Sequence, residues 1–70
     1  MGSPINPDHY KADGVECIDV LRAVMTEEEF RGYCRGNAVK YLYRLYRKGD
    51  AAENVAKAEV YLHWLKESLL

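Results

Sequence analysis

One face of a predicted helix carries side chains that suit the binding of a nucleotide. The residues that recur there at helical spacing are Tyr33, Asn37, Lys40, Arg44 and Arg47. Guanidinium and ammonium groups match phosphate oxygens, a tyrosine ring offers a stacking surface for a base, and an asparagine amide can contact a base or a ribose. The pattern predicts a phosphate-binding face. The alternative is a solvated basic face that pairs with acids of a neighbouring helix.

This face belongs to a helix predicted over residues 27–48. Thr26 and Glu29 have the spacing of a capping box, and Gly49 suits the left-handed residue that often ends a helix. Glutamates at the start and basic residues at the end both suit the helix dipole. A second stripe predicts a core face, with Tyr41 at its margin; its residues are Phe30, Cys34, Ala38, Leu42 and Leu45.

The third sector of this helix combines glycines with apolar and aromatic residues, namely Gly32, Gly36, Val39, Tyr43 and Tyr46. An ordinary surface helix has one apolar face, so this sector predicts a contact with something outside the monomer. Each glycine costs about 1 kcal/mol of helix propensity relative to alanine. Either another helix backbone approaches closely here, or the helix breaks and restarts near Asn37.

The flanking segments complete an all-α prediction. Residues 1–14 contain two prolines and predict an extended N-terminal arm. Residues 15–70 form one helical domain, with a short helix near 15–25 and an antiparallel C-terminal helix near 51–68, which Asp50 caps. The stripe predicted to contact the long helix is Ala51, Val55, Ala58, Leu62, Leu65 and Leu69, with Val60 and Trp64 in an outer patch.

The arm carries a dense polar and aromatic cluster, formed by Asp8, His9, Tyr10 and Lys11. One interpretation is that the arm folds over a ligand or a neighbouring subunit. The other is a solvated lead-in to the first helix.

Composition limits the classes of function. A core formed by 70 residues supplies little stability, so we expect self-association. The net charge of −1 gives no general attraction to long nucleic acid or membrane. We expect no signal peptide or membrane span, and we expect Cys17 and Cys34 to be small buried thiols in a reducing cytosol.

Catalysis has less support in the sequence than binding. Phosphate-loop, dinucleotide and zinc-protease motifs are missing from the 70 residues, and we expect no cofactor and no metal. Glu16 and Asp19 share a helical face and are the candidates for Mg²⁺ ligands in a nucleotide-hydrolysing enzyme. The alternative is a solvated or arginine-paired acidic face.

Five segments follow an order found in a small phage-encoded family: PDHY at 7–10, GVECID at 14–19, FRGYCRGNAVKYLYR at 30–44, KGD at 48–50 and KAEVYL at 57–62. The chain resembles this family, long described as a domain of unknown function and often labelled nucleotide kinase, because a similar domain occurs in a phage nucleoside-monophosphate kinase. The resemblance implies nucleotide binding, with family function carried by residues 7–11, Asn37, Lys40 and Arg44. Some phages also use small oligomeric helical proteins of similar appearance as sponges for the cyclic nucleotide signals of bacterial immunity.

We therefore expect a homo-oligomer, with a tetramer favoured, that binds a cyclic di- or trinucleotide between subunits in the cytoplasm of the infected bacterium and does not turn it over. The rival functions are a nucleoside-monophosphate kinase or Mg²⁺-dependent hydrolase, and a module that binds a host protein through Tyr43, Tyr46 and Trp64. The expected ligand residues are His9, Tyr10, Lys11, Tyr33, Arg35, Asn37, Lys40, Tyr41, Arg44 and Arg47.

Overall fold

The computed structural model describes residues 16–70, which form three helices. Helix α1 spans Cys17–Val24, α2 spans Glu27–Tyr43 and α3 spans Ala51–Leu69. The range contains no strand, so the all-α prediction is confirmed. The arm predicted at 1–14 lies outside the described residues. None of the three helices has both the length and the apolar character that crossing a membrane requires.

Helix α1 is short and lies against the start of α2. The carboxylate of Asp19 in its first turn accepts a hydrogen bond from the Glu16 backbone N–H at 3.0 Å. In its last turn, the guanidinium carbon of Arg22 lies 5.2 Å from the ring centroid of Phe30. The same guanidinium reaches the carboxylate of Glu67 on α3 at 3.4 Å. Arg22 therefore connects all three helices.

Helix α2 begins where the sequence predicts and ends earlier. The Thr26 hydroxyl accepts from the Glu29 N–H at 3.1 Å, and the Glu29 carboxylate accepts from the Thr26 N–H at 2.9 Å, which confirms the capping box. The helix ends at Tyr43, and the predicted end at residue 48 is corrected, because residues 44–47 form tighter turns. Gly49 follows with a φ of 76°, as predicted.

Helix α2 is continuous through both of its glycines. This excludes a break near Asn37 as the explanation for Gly32 and Gly36. The alternative, a close approach by another helix backbone, stays a prediction.

Helices α2 and α3 form an antiparallel pair. Arg31, near the start of α2, donates to the Ser68 hydroxyl near the end of α3 at 3.2 Å, whereas Arg44, just after α2, lies beside Asn54 near the start of α3. Most of the buried side chains are small. The buried hydrophobic residues of the described range are Phe30, Cys34, Ala38 and Ala58.

The structure confirms part of the predicted contact faces and corrects the rest. Phe30, Cys34 and Ala38 of α2 and Ala58 of α3 are buried, as predicted. Several aliphatic residues predicted to lie between α2 and α3 are exposed, namely Leu42 at 49%, Val55, Leu62 and Leu69. The contact face of α3 is instead turned toward Asn54, which is buried, and Tyr61, which is half-buried. The reason is that the amide and the phenol ring form specific contacts with α2 that aliphatic side chains cannot form.

The two cysteines, both predicted to be buried, differ in exposure. Cys34 is fully buried in α2. Burial raises the pKa of its thiol, and the nearby Arg22 guanidinium offsets part of that rise. Cys17 is exposed, which corrects the prediction for that residue. It begins α1, a helix with no buried residue of its own.

A buried asparagine joins α3 to the end of α2. Asn54 is 6% exposed, and its Nδ2 donates to the carbonyls of Arg44 at 3.2 Å and Lys48 at 2.8 Å. Carbonyls at the end of a helix have no partner within the helix. The Asn54 amide therefore supplies from the next helix the cap that the end of α2 needs.

We expect Asn54→Ala to destabilise the protein by about 2–3 kcal/mol, because it removes two hydrogen bonds and leaves both carbonyls without this donor. Urea unfolding followed by circular dichroism, at one fixed protein concentration, measures the effect. The matched control is Asn37→Ala, which removes one amide bond to the Tyr33 carbonyl of the same helix. The control should cost less than about 1 kcal/mol, since alanine also favours the helix. Equal losses in the two variants would contradict a special role for Asn54.

Candidate functional site

Three cationic side chains surround the ring of Tyr41. The Lys40 ammonium lies 4.5 Å from the ring centroid, the Lys57 ammonium 5.4 Å and the Arg44 guanidinium carbon 5.7 Å. All three lie within the range of a cation–π contact. We call Tyr41 with Lys40, Arg44 and Lys57 the Tyr41 site. Helix α2 and the turn after it supply three of these residues, and α3 supplies Lys57.

The Tyr41 site rests on a cluster of aromatic rings. The Tyr61 ring stacks on Tyr41, with the centroids 5.9 Å apart and the planes 14° from parallel. Tyr33 and Trp64 meet Tyr61 edge-on, with centroid distances of 5.7 and 5.4 Å. Trp64, predicted in an outer patch of α3, is therefore half-buried in this cluster. The rings form an apolar base for the cations.

Tyr61 remains protonated over a wide pH range. Burial is the main cause that raises the pKa of Tyr61 from 10.0 to about 12, and the neighbouring Tyr33 and Tyr41 add to the shift while Lys40 lowers it. Tyr61 therefore contributes no negative charge near neutral pH.

The cations of the Tyr41 site lack acidic partners within the described part of the chain. No carboxylate of residues 16–70 lies within 4 Å of Lys40, Arg44 or Lys57. Because all three cations lie near one ring, any two of them are within about 11 Å of each other. At that separation like charges repel by roughly 1–2 kcal/mol per pair before screening by salt. A cation–π contact at an exposed position contributes about 0.5–1 kcal/mol, so the ring offsets only part of this repulsion. A bound anion would attract all three cations and so offset their mutual repulsion.

Other predicted ligand residues of α2 lie away from this site. The Arg47 guanidinium donates to the Tyr43 carbonyl at 2.8 Å and lies 4.3 Å from the Tyr43 ring centroid. The Asn37 amide donates to the carbonyl of Tyr33 in its own helix at 2.9 Å. Arg35 is exposed on the far side of α2 from the Tyr41 site. The structure thus brings together Lys40, Tyr41 and Arg44. Tyr33 contacts Tyr61, which in turn stacks on Tyr41.

Two further sets of predicted residues are the ligand residues of the N-terminal arm and the candidate Mg²⁺ ligands. His9, Tyr10 and Lys11 lie outside the described residues. Asp19, a candidate Mg²⁺ ligand, uses its carboxylate to cap α1. Residues 16–70 contain no group of three His, Cys, Asp or Glu side chains arranged to hold a metal ion.

Sequence analysis missed Lys57 as a member of the site. Lys57 lies one turn before Tyr61, and its side chain reaches Tyr41 across the helix pair. The available signal was the sequence spacing of Asn54, Lys57 and Tyr61, which share one side of α3. The aliphatic stripe of α3 instead predicts that this side faces outward.

Comparison with known proteins decides the family. The model of the family described as protein of unknown function (DUF3310) matches residues 5–63. The chain belongs to the DUF3310 family. The DUF3310 chain is 42% identical over 59 residues to nucleotide kinase gp1.7 of Escherichia phage T7, a match that covers 79% of this chain and 30% of the phage T7 protein. It is 43% identical over 60 residues to the gene 1.7 protein of Enterobacteria phage T3, covering 80% of this chain and 37% of that protein.

The matches confirm the predicted resemblance to a phage family. No solved structure matches the DUF3310 chain. The chain spans about a third of the length of the curated relatives it matches. All four residues of the Tyr41 site lie inside the range that the DUF3310 model matches.

We expect the stability of this DUF3310 protein to fall as the pH rises from 10 toward 12, because unfolded Tyr61 loses its proton near pH 10 whereas folded Tyr61 keeps it to about pH 12. Tyr61→Phe should remove part of this loss, measured as the change in unfolding free energy between pH about 9 and about 11.5. The matched control is Tyr46→Phe, which removes the same hydroxyl from an exposed ring. The change in its unfolding free energy between the two pH values should equal that of the wild-type protein. An unchanged slope in Tyr61→Phe would contradict the raised pKa.

Proposed function

We propose that this protein binds a nucleotide through its phosphates at the Tyr41 site. The observation that carries the proposal is the group of three cations around one ring, with no carboxylate partner among residues 16–70. The Arg44 guanidinium can hold two phosphate oxygens at once, and the two lysine ammoniums can add donors from α2 and α3. A phosphate there offsets the repulsion among the three.

The aromatic cluster supports a nucleotide over a simple anion. Tyrosine rings beside cations provide a surface on which a base can stack, and stacking contributes about 1–3 kcal/mol per base. A nucleotide uses both the charge and the rings, whereas inorganic phosphate uses only the charge.

The name of one relative supports the same class of ligand. The phage T7 relative carries the name nucleotide kinase, and the DUF3310 match includes the Tyr41 site. Within this class we favour a cyclic di- or trinucleotide, held between subunits without turnover in the cytoplasm of the infected bacterium. Three cations provide more charge than one phosphodiester needs, which favours a ligand with several phosphates. Such a protein would act as a sponge for an immune signal.

The second candidate is a nucleotide kinase, and the name of the phage T7 relative is what favours it. In that case the Tyr41 site would hold the phosphates of a nucleoside monophosphate or of its phosphoryl donor. Positioning and charge neutralisation are the main contributions of a protein to phosphoryl transfer, and the three cations could supply them.

We expect calorimetry with cyclic di-AMP, cyclic triadenylate and the common mononucleotides to show binding of at least one nucleotide. Arg44→Ala and Lys57→Ala should each weaken it by about 10- to 100-fold, the effect of losing a charge-assisted hydrogen bond. The matched controls are Arg35→Ala on α2 and Lys66→Ala on α3, which remove the same charges from exposed positions outside the site. The proposal fails if no nucleotide binds, or if the controls weaken binding as much as the site variants.

The sponge and the kinase differ in what happens to the ligand. The protein is incubated with ATP, Mg²⁺ and each nucleoside monophosphate, and separately with each cyclic nucleotide, and is then denatured by heat. For a sponge we expect the cyclic nucleotide to be recovered intact and the monophosphates to remain unchanged. Formation of a nucleoside diphosphate that Arg44→Ala abolishes would instead establish the kinase.

A further inference from the structure

One face of α2 points away from α3 and consists of exposed residues. Gly32, Gly36, Val39 and Tyr43 are spaced by four, three and four positions, which places them on one side of the helix. The side chains of Val39 and Tyr43 are 59% and 65% exposed. This face lies opposite the buried side of α2, which holds Cys34. We call these four residues the glycine face.

Nothing in the described chain explains why its first two positions are glycine. A Cβ built at Gly32 or Gly36 meets no heavy atom within 4 Å, and neither backbone has a positive φ. Alanine would therefore fit at both positions and would favour the helix. Glycine in a continuous helix also serves where a second backbone approaches closely. Residues 16–70 supply no such neighbour, which favours a backbone from another molecule.

The charges along the glycine face indicate what that molecule is. Glu28 is exposed at the N-terminal end of this face, where α2 begins with three glutamates. Arg47 lies at the other end, with its guanidinium over the Tyr43 ring. A partner helix must therefore be basic where α2 is acidic and acidic where α2 is basic. A second copy of α2 that runs antiparallel meets this requirement, and it also opposes the two helix dipoles.

A single two-fold axis satisfies the shape and the charge of the face together. In an antiparallel pair, Tyr43 meets the partner's Gly32 and Val39 meets the partner's Gly36, since both pairs are centred between residues 37 and 38. Arg47 lies in the turn after α2, and its guanidinium, held over the Tyr43 ring, then faces the start of the partner's α2, where Glu28 lies. Each large side chain then lies over a glycine, and each charge lies opposite its counterpart.

We propose that two copies of this chain associate antiparallel along the glycine face of α2, in the register centred between residues 37 and 38. The contact uses none of the residues of the Tyr41 site, so the proposal is independent of the proposed nucleotide. It commits to a second copy of the chain as the partner.

Sedimentation equilibrium of the whole chain tests the register by charge reversal. We expect the wild-type protein to have the mass of two chains or a multiple of two. Glu28→Lys and Arg47→Glu should each raise the dissociation constant of the pair about tenfold, because like charges then face each other twice per dimer. The double variant should return the constant to within about threefold of wild type. Glu59→Lys, the same charge change at an exposed position of α3, should have no effect.

A glycine variant tests the close approach separately. Gly36→Leu should abolish the association while the circular dichroism of the helices is retained, because its Cβ meets nothing in the single chain. The proposal is overturned if the wild-type protein is monomeric at millimolar concentration. It is also overturned if the protein associates but neither charge reversal nor Gly36→Leu weakens the association. In that second case the exposed aliphatic residues of α3 would be the interface.

Discussion

The arrangement of α2, its turn and α3 depends on one buried amide. Asn54 donates to the carbonyls of Arg44 and Lys48 from the first turns of α3. These bonds determine where α2 stops, how the chain turns at Gly49 and where α3 starts relative to α2. An amide buried without partners costs about 1–3 kcal/mol, so alternative registers of the two helices are disfavoured. The position of Arg44 beside Tyr41 follows from this constraint.

The composition of the helix interface explains why the cations collect at its edge. Cys34, Ala38 and Ala58 are small and buried, and the Phe30 ring is buried with them. The rings of Tyr41 and Tyr61 lie half-buried. Long basic side chains can then cover the rings with their aliphatic stems and keep their charges in water. The same packing that stabilises the pair therefore assembles a charged aromatic surface.

Local signals in the sequence predicted the fold well, and contacts across the pair were harder to predict. The caps at Thr26 and Asp50 and the glycine after the turn depend on neighbours within a few residues, so their patterns are sufficient. The basic stripe of α2 was also visible in the helical period. Which side of α3 meets it depends on a partner surface, and the amide of Asn54 outweighed the aliphatic stripe. Lys57 was missed for the same reason.

A pairing of two copies about an axis through the middle of α2 would restrict the size and symmetry of any ligand. A rotation that brings antiparallel helices face to face keeps their lateral edges on the same side of the assembly. The Lys40 edge of one copy would therefore open in the same direction as the Lys40 edge of its partner, about 8 Å from it along the helix direction. Two phosphate-binding regions related in this way suit a compact molecule that itself has two-fold or near two-fold symmetry. A linear mononucleotide would occupy one region and leave its counterpart open to a second molecule.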